Sequence, residues 1–369
     1  EGEGEGAEGE GEGAEGEGEG EGEVPTAHTL YVLGQSDVDG TTIVHAFDVS
    51  DDGELTPIAG SPFSTPALQG GWSGDAEGLV SDGDGHLYAS GDESIAELAI
   101  APDGSLTSLP GSPFVTGVEA FGLAYDPVRR VVYGAVCNED TPTLLALSVE
   151  GDASLGSLDG APFPSVGICD DSVILAPDRR TAWVTTEDAT IASFSLDNSG
   201  VPTLGPITLL DDGATSSAAR FDAANRRLFV GDYTRGAIYV FDVDSQDALT
   251  QVAGSPFPSS VTSVNGLALV GGRLYGGGSA EDAVVAYDID PSGALTQIAA
   301  SPIALSLGDA SVLLPFPDGS GLFIADDVSF NLRSYRIDDD GGLQETADSP
   351  TSLVDGAPSS PRALLLLDR

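Results

Sequence analysis

Leu274-Tyr275-Gly276, then the alternating run Ala283 to Ile289, then Pro291-Ser292-Gly293, then Ala294-Leu295-Thr296-Gln297-Ile298-Ala299-Ala300-Ser301-Pro302-Ile303: this stretch decides the fold. An aromatic sits between small or apolar neighbours. A period-two strand follows, then a turn built on Gly, then a short strand opening at a Leu. None of it carries the 3.6-residue period of a helix.

The same order recurs along the chain. The aromatic triplet returns as Leu30-Tyr31-Val32, Leu87-Tyr88-Ala89, Val132-Tyr133-Gly134, Ala182-Trp183-Val184, Leu228-Phe229-Val230 and Leu322-Phe323-Ile324, at spacings of 45 to 57 residues. A Gly-Ser-Pro-Phe signature closes several units, at Gly60–Phe63, Gly111–Phe114 and Gly254–Phe257, with variants at Gly160–Phe163 and Ala300–Ile303. A period near 48 with four short strands per unit specifies a β-propeller. Calling the strands A to D within each unit, the aromatic lies on strand B, and seven of them predict seven blades of four antiparallel strands. The first unit begins at a B strand, His28 to Leu33, with no A strand before it. The last stretch, Arg362 to Leu367, is an A strand with no B strand after it. The C-terminal strand is therefore expected to complete the N-terminal blade and close the ring, which removes two sheet edges. Residues 24–369 form the propeller on this reading. Residues 1–23, with 11 Glu, 10 Gly and 2 Ala, are expected to be a disordered tail, since nothing in them can be buried.

The units resemble the lactonase family of seven-bladed propellers, the 6-phosphogluconolactonase-like proteins. The segments Ala248-Leu249-Thr250-Gln251-Val252-Ala253-Gly254-Ser255-Pro256-Phe257 and Ala294-Leu295-Thr296-Gln297-Ile298-Ala299 carry the resemblance, which extends over residues 28 to 367. It implies the seven-bladed fold and lactone hydrolysis as a candidate activity.

Charge bounds the partners. The chain of 369 residues holds 60 acids against 13 Arg and no Lys, a net charge of −47, and −36 remains without the first 23 residues. Duplex nucleic acid and anionic membrane surfaces are repelled. No apolar run approaches the ~20 residues of a membrane-spanning helix. The absence of Met fits a chain processed during export or otherwise trimmed; on the first of these, an extracellular, periplasmic or surface-anchored setting is expected. High acidity without Lys also resembles salt-adapted proteins.

In a propeller the B–C and D–A loops share one face and the A–B and C–D hairpins the other. The B–C loops carry Asp37 and Asp39, Asp92 and Glu93, Glu139 and Asp140, Glu187 and Asp188, Asp232, Glu281 and Asp282, and Asp326 and Asp327. The D–A loops add Asp75, Glu77, Glu119, Asp170, Asp171, Asp211, Asp212 and Asp309. This predicts a negative rim. Convergent carboxylates suit hard cations, so Ca²⁺ is the candidate ion, with Asp92, Glu93, Glu139, Asp140, Glu187, Asp188, Asp232, Asp282, Asp326 and Asp327 as candidate ligands. Equally, an acidic protein fills its loops with acids. Asp82-Gly83-Asp84-Gly85 reads first as a hairpin turn. Cys137 and Cys169 fall on the same face of adjacent blades, where a disulfide is within reach; two free thiols are the alternative. The hairpin face receives Arg129, Arg130, Arg179, Arg180, Arg226, Arg227 and Arg273, expected to pair with Asp of neighbouring hairpins.

Catalysis has a thin signature. His28, His45 and His86 all fall away from the channel mouth, and Gly-x-Ser-x-Gly is absent. Carboxylates at the mouth could act as bases. Three readings stay open: an exported binding or scaffold module acting on a cationic ligand or protein partner through its acidic face, a lactone hydrolase, or a structural surface protein that self-assembles.

Overall fold

The computed structural model describes residues 28–36, 42–65, 78–137, 142–167, 169–278, 282–305, 308–326, 328–354 and 359–369, together with Gly2. Seven antiparallel sheets form a ring, with no helix among the described residues. Each sheet is ordered A-B-C-D outward from the axis. The A strands, Ser359–Asp368, Leu79–Ser81, Ala120–Asp126, Asp170–Leu175, Ser216–Asp222, Gly266–Val270 and Val312–Pro315, touch one another in succession around the centre. We number the blades one to seven in that order.

Closure follows the expected route. Strand A of blade one, Ser359–Asp368, pairs antiparallel with strand B, His28–Ser36, and Leu365 lies opposite Tyr31. Strand C of the same blade, Thr42–Val49, pairs on the other side of strand B.

The core is distributed over seven apolar layers, one between each pair of adjacent blades. Every strand-B aromatic, Tyr31, Tyr88, Tyr133, Trp183, Phe229, Tyr275 and Phe323, is fully buried in such a layer. Each contributes on the order of 2–3 kcal/mol by leaving water. The tyrosines also latch blade to blade. Tyr31 Oη donates to the Gly104 carbonyl at 2.9 Å, Tyr88 to Ala153 at 2.9 Å, Tyr133 to Gly200 at 2.7 Å and Tyr275 to Gly341 at 3.1 Å. Every acceptor lies in the C–D turn of the next blade. Three of the four are Gly at positive φ, the conformation that these tight turns require.

Strand D differs from the simple repeat. In six blades it is two short pieces, such as Leu249–Gln251 and Phe257–Pro258, with the Pro signature between them and its X–Pro bond cis. The signature Ser explains how strand C tolerates the gap. Ser61, Ser112, Ser255, Ser301 and Ser349 accept at Oγ from the strand-C N–H groups of Ala46, Glu97, Val240, Ala286 and Ser334, at 2.8–3.2 Å. A side chain thus replaces the missing ladder partner. Blade four has no signature, and its strand D, Pro202–Leu209, runs unbroken.

On the hairpin face the arginines pair mostly within their own blade. Arg129 meets Asp126 at 2.6 Å, Arg226 meets Asp247 at 2.7 Å and Arg273 meets Asp288 at 2.9 Å. Cross-blade carboxylate pairs exist, Arg130–Asp84 and Arg336–Asp52. The remaining donors reach neighbouring backbone: Arg227 donates to the Asp290 and Pro291 carbonyls. A guanidinium has five N–H groups, so one carboxylate leaves several free for carbonyls. Asp82 closes its hairpin by accepting from the backbone N–H groups of Asp84 and His86, which makes it a turn residue.

Candidate functional site

The loop face gathers its charge around the start of strand A in blade four. Here strand A carries a β-bulge: Asp170 pairs with Thr186 and Val173 with Val184, so Asp171 and Ser172 together oppose Thr185. The same irregularity recurs at this level in blade three, between Ala120 and Leu123, and in blade five, between Ser216 and Ala219. In blade one it leaves Arg362 as the extra residue, between Pro361 and Ala363. Bulges re-aim side chains and are frequent beside active sites.

Neighbouring bulges fit tightly. A side chain at Gly122 would meet the Asp171 carbonyl at 2.5 Å, which leaves room only for glycine. Hydroxyls stitch the inner ends of blades four to six. Thr185 Oγ1 donates to the Ser217 carbonyl at 3.2 Å, and Ser217 Oγ donates to the Val264 carbonyl at 2.7 Å. Cys137 and Cys169 form a disulfide linking blades three and four, with Cα atoms 4.0 Å apart. Cys169 directly precedes Asp170, and its carbonyl accepts from the Glu187 N–H at 2.9 Å.

Asp170 is fully buried, and neither carboxyl oxygen has a hydrogen-bond partner. Burial pushes its pKa up to about 8, and Ser165, the one polar side chain that opposes this, stands beside it without completing a hydrogen bond. Asp171, packed around by protein, is half-buried and still reached by solvent. Its pKa is raised well above the usual range, first by burial, then by the charges of Glu187 and Asp170. Both carboxyls therefore keep their protons to higher pH than an exposed aspartate does. A second crowd lies between blades two and three, where burial and then the charges of Asp92 and Glu93 raise the pKa of Glu119.

The other candidate ligands separate into groups. Asp232 and Asp326 end their B strands rather than lining the rim, and both are fully buried. Asp232 Oδ1 accepts from the N–H groups of Thr215, Thr234 and Arg235, and Asp326 Oδ1 accepts from those of Gly308 and Ser329. These two acids staple the B–C loop to the preceding D–A loop. Glu93, Glu187, Asp188 and Asp282 are exposed, and Asp92 is half-buried. Glu139, Asp140 and Asp327 lie outside the described residues, as do Asp37, Asp39, Asp75, Glu77 and Glu281. Among the described residues, no three His, Cys, Asp or Glu side chains come together as a metal-binding group.

Sequence reasoning placed Asp170 and Asp171 in a loop; the usable signal was their near attachment to the apolar strand run Val173–Leu175.

No protein-family model and no curated protein matches this sequence. Solved structures do. A candidate 6-phosphogluconolactonase from Bacteroides fragilis superposes with a TM-score of 0.72 at 14% identity, over 93% of this chain and 98% of that one. The periplasmic gluconolactonase of Pseudomonas aeruginosa gives 0.67 at 17% identity, over 92% and 99%. A hypothetical selenium-binding protein from Sulfolobus tokodaii gives 0.69 at 11% identity, over 94% and 95%. Proteins described so differently share the ring, so the likeness is one of architecture. The chain has the seven-bladed propeller fold that the 6-phosphogluconolactonase-like proteins also have.

Proposed function

We propose that the loop face opens an uncharged lactone by hydrolysis, with Asp171 as the acid–base group and Asp170 as the residue that positions and tunes it. The observation that carries this reading is the carboxyl couple at the bulge: Asp170 buried without a partner, Asp171 beside it and reached by solvent. Burial and neighbouring charge raise the proton affinity of Asp171, which makes its ionised form a stronger base. Asp171 would take a proton from the attacking water and return it to the ring oxygen as the ester bond breaks. The gluconolactonases among the structural neighbours support the substrate class. The surrounding acids disfavour a phosphorylated lactone and favour a neutral one.

A second reading is an exported, cation-assisted binding module, with Ca²⁺ as the candidate ion. The crowding of Glu119 with Asp92 and Glu93 favours it, because a bound cation would relieve that repulsion. Under either reading an oxidising compartment outside the cytoplasm suits the Cys137–Cys169 bridge.

The test is acid release from neutral and phosphorylated aldonolactones, with Ca²⁺ or with EGTA. Turnover of the neutral lactones that falls on the order of 10²-fold or more in Asp171→Asn supports the hydrolase. No turnover above buffer on any lactone removes it. A melting temperature that rises with Ca²⁺ and falls with EGTA would then favour the binding module.

A further inference from the structure

The bulge that carries Asp171 has a side-chain support of its own. A bulge sets two residues of one strand against one of its partner, and a ladder built for pairs leaves a backbone group over. In blade four the Ser172 N–H donates to Thr185 Oγ1 at 3.2 Å. Thr185 is the single strand-B residue that opposes Asp171 and Ser172, and it is fully buried. Its own hydroxyl proton goes to the Ser217 carbonyl of blade five at 3.2 Å. One side chain thus accepts from the bulge and donates to the next blade, and both bonds lie in the protein interior.

The other blades show that the bulge can form without this hydroxyl. Bulges of the same two-against-one kind occur in blade three, where Phe121 and Gly122 oppose Ala135, and in blade five, where Ser217 and Ala218 oppose Gly231. All three opposing residues lie two positions beyond the strand-B aromatic, Tyr133, Trp183 or Phe229. Ala and Gly offer no side-chain acceptor. Of the three bulges, the one that presents a carboxyl side chain is the one with the hydroxyl behind it. The bond acts on a single peptide unit, Asp171–Ser172. The C=O of that unit packs against Gly122 of blade three, where a Cβ would come within 2.5 Å of the oxygen, and its N–H is held by Thr185. A peptide unit is planar, so holding both ends removes the rotation about the Asp171 Cα–C bond through which the side chain would swing.

We propose that Thr185 is a positioning residue for the hydrolysis: through the Ser172 N–H it keeps the bulge in the form that aims Asp171 at the substrate. This rests on the hydrolytic reading above and adds the part that holds its acid–base group in place. Displacing a reacting group by about 1 Å costs on the order of a hundredfold in rate. The bond therefore acts on the proton-transfer step, and so on kcat rather than on KM.

The experiment compares Thr185→Val, Thr185→Ser and Tyr133→Phe with the wild type, each as the full chain, on a neutral aldonolactone well below every melting temperature. Valine keeps the shape and loses the hydroxyl, and serine keeps the hydroxyl. Tyr133→Phe weakens the hairpin end of the contact between blades three and four and leaves the bulge intact. Circular dichroism confirms folding; should valine prevent it, Thr185→Ala takes its place, the residue that blade three carries at this position. Thr185→Val should lower kcat about ten- to a hundredfold with KM within about threefold. Thr185→Ser should stay within about threefold of the wild-type kcat, and so should Tyr133→Phe despite its lower melting temperature. The Ser172 amide hydrogen should exchange about tenfold faster or more in Thr185→Val. An unchanged kcat in Thr185→Val, an equal fall in Tyr133→Phe, no recovery in Thr185→Ser, or unchanged exchange at Ser172 would each overturn the proposal and leave the hydrolase standing. No turnover of any lactone by the wild type would instead remove the hydrolase, and this role with it.

Discussion

Replacing Asp170 by Asn tests the electrostatics of the loop face directly. In the native protein this carboxyl keeps its proton up to a pH of about 8, whereas in the unfolded chain it ionises near its ordinary value of 3.8. Between those limits the native state binds one more proton than the unfolded state. Stability from this group is therefore full below about pH 4 and declines as pH rises, until it is gone above about pH 8. Each pKa unit is worth about 1.4 kcal/mol, so the upper bound is about 6 kcal/mol, and local relaxation with water entry reduces it to a few. Asparagine has no proton to lose. The two proteins should thus be of similar stability at low pH, and Asp170→Asn should gain a few kcal/mol over the wild type as pH rises through the window. The assay is urea unfolding of both proteins at several pH values in molar salt. The difference between them cancels most other acids; Asp171, which feels Asp170, sharpens the trend. A difference that stays flat with pH, or a variant that loses most at high pH, would mean that Asp170 is ionised and held by a partner. That would refute the raised-pKa argument and with it the role given to Asp171.

Three further outcomes are expected. Ser255→Ala removes the acceptor for the Val240 N–H and should cost about 1 kcal/mol; Ala161→Ser, at the blade-three position that lacks this hydroxyl, should gain a similar amount, both read by denaturant midpoint. Tyr133→Phe leaves the buried Gly200 carbonyl without its donor and should cost about 1–2 kcal/mol, with Phe229→Leu as a control for packing alone. Melting temperature should rise from 10 mM to molar salt, because screening relieves a net charge of −47; a flat response would count against self-repulsion as a destabilising force.

The ring was legible because its signals are local and repeated. Each strand-B aromatic occupies the same inter-blade layer, so seven copies of one pattern report one geometry, and the unpaired segments at either end matched across the sheet as Tyr31 and Leu365. The Ser of the signature was visible but not its use, because hydrogen bonding to Val240 depends on a gap in strand D that no period reveals. Asp170 and Asp171 were counted as rim loop because acids interrupt an apolar run; the bulge that draws them into strand A exists only through pairing with Thr186 and Val184. Asp232 and Asp326 were counted with them, and burial turned both into loop staples.

The closing strand imposes an order in time. Residues 28–36 need residues 359–368 as their inner neighbour, and the 322 residues 37–358 are synthesised between the two. At roughly 5–20 residues per second, the interval is on the order of half a minute. Throughout it, blade one waits with the bonding groups of His28–Ser36 open toward the axis, while the other six blades can form from sequence already made. The first-made strand of the ring is thus the last to be paired on both sides. Removing only the final ten residues would prolong that wait indefinitely, turning a closed ring into an open arc with an unpaired end.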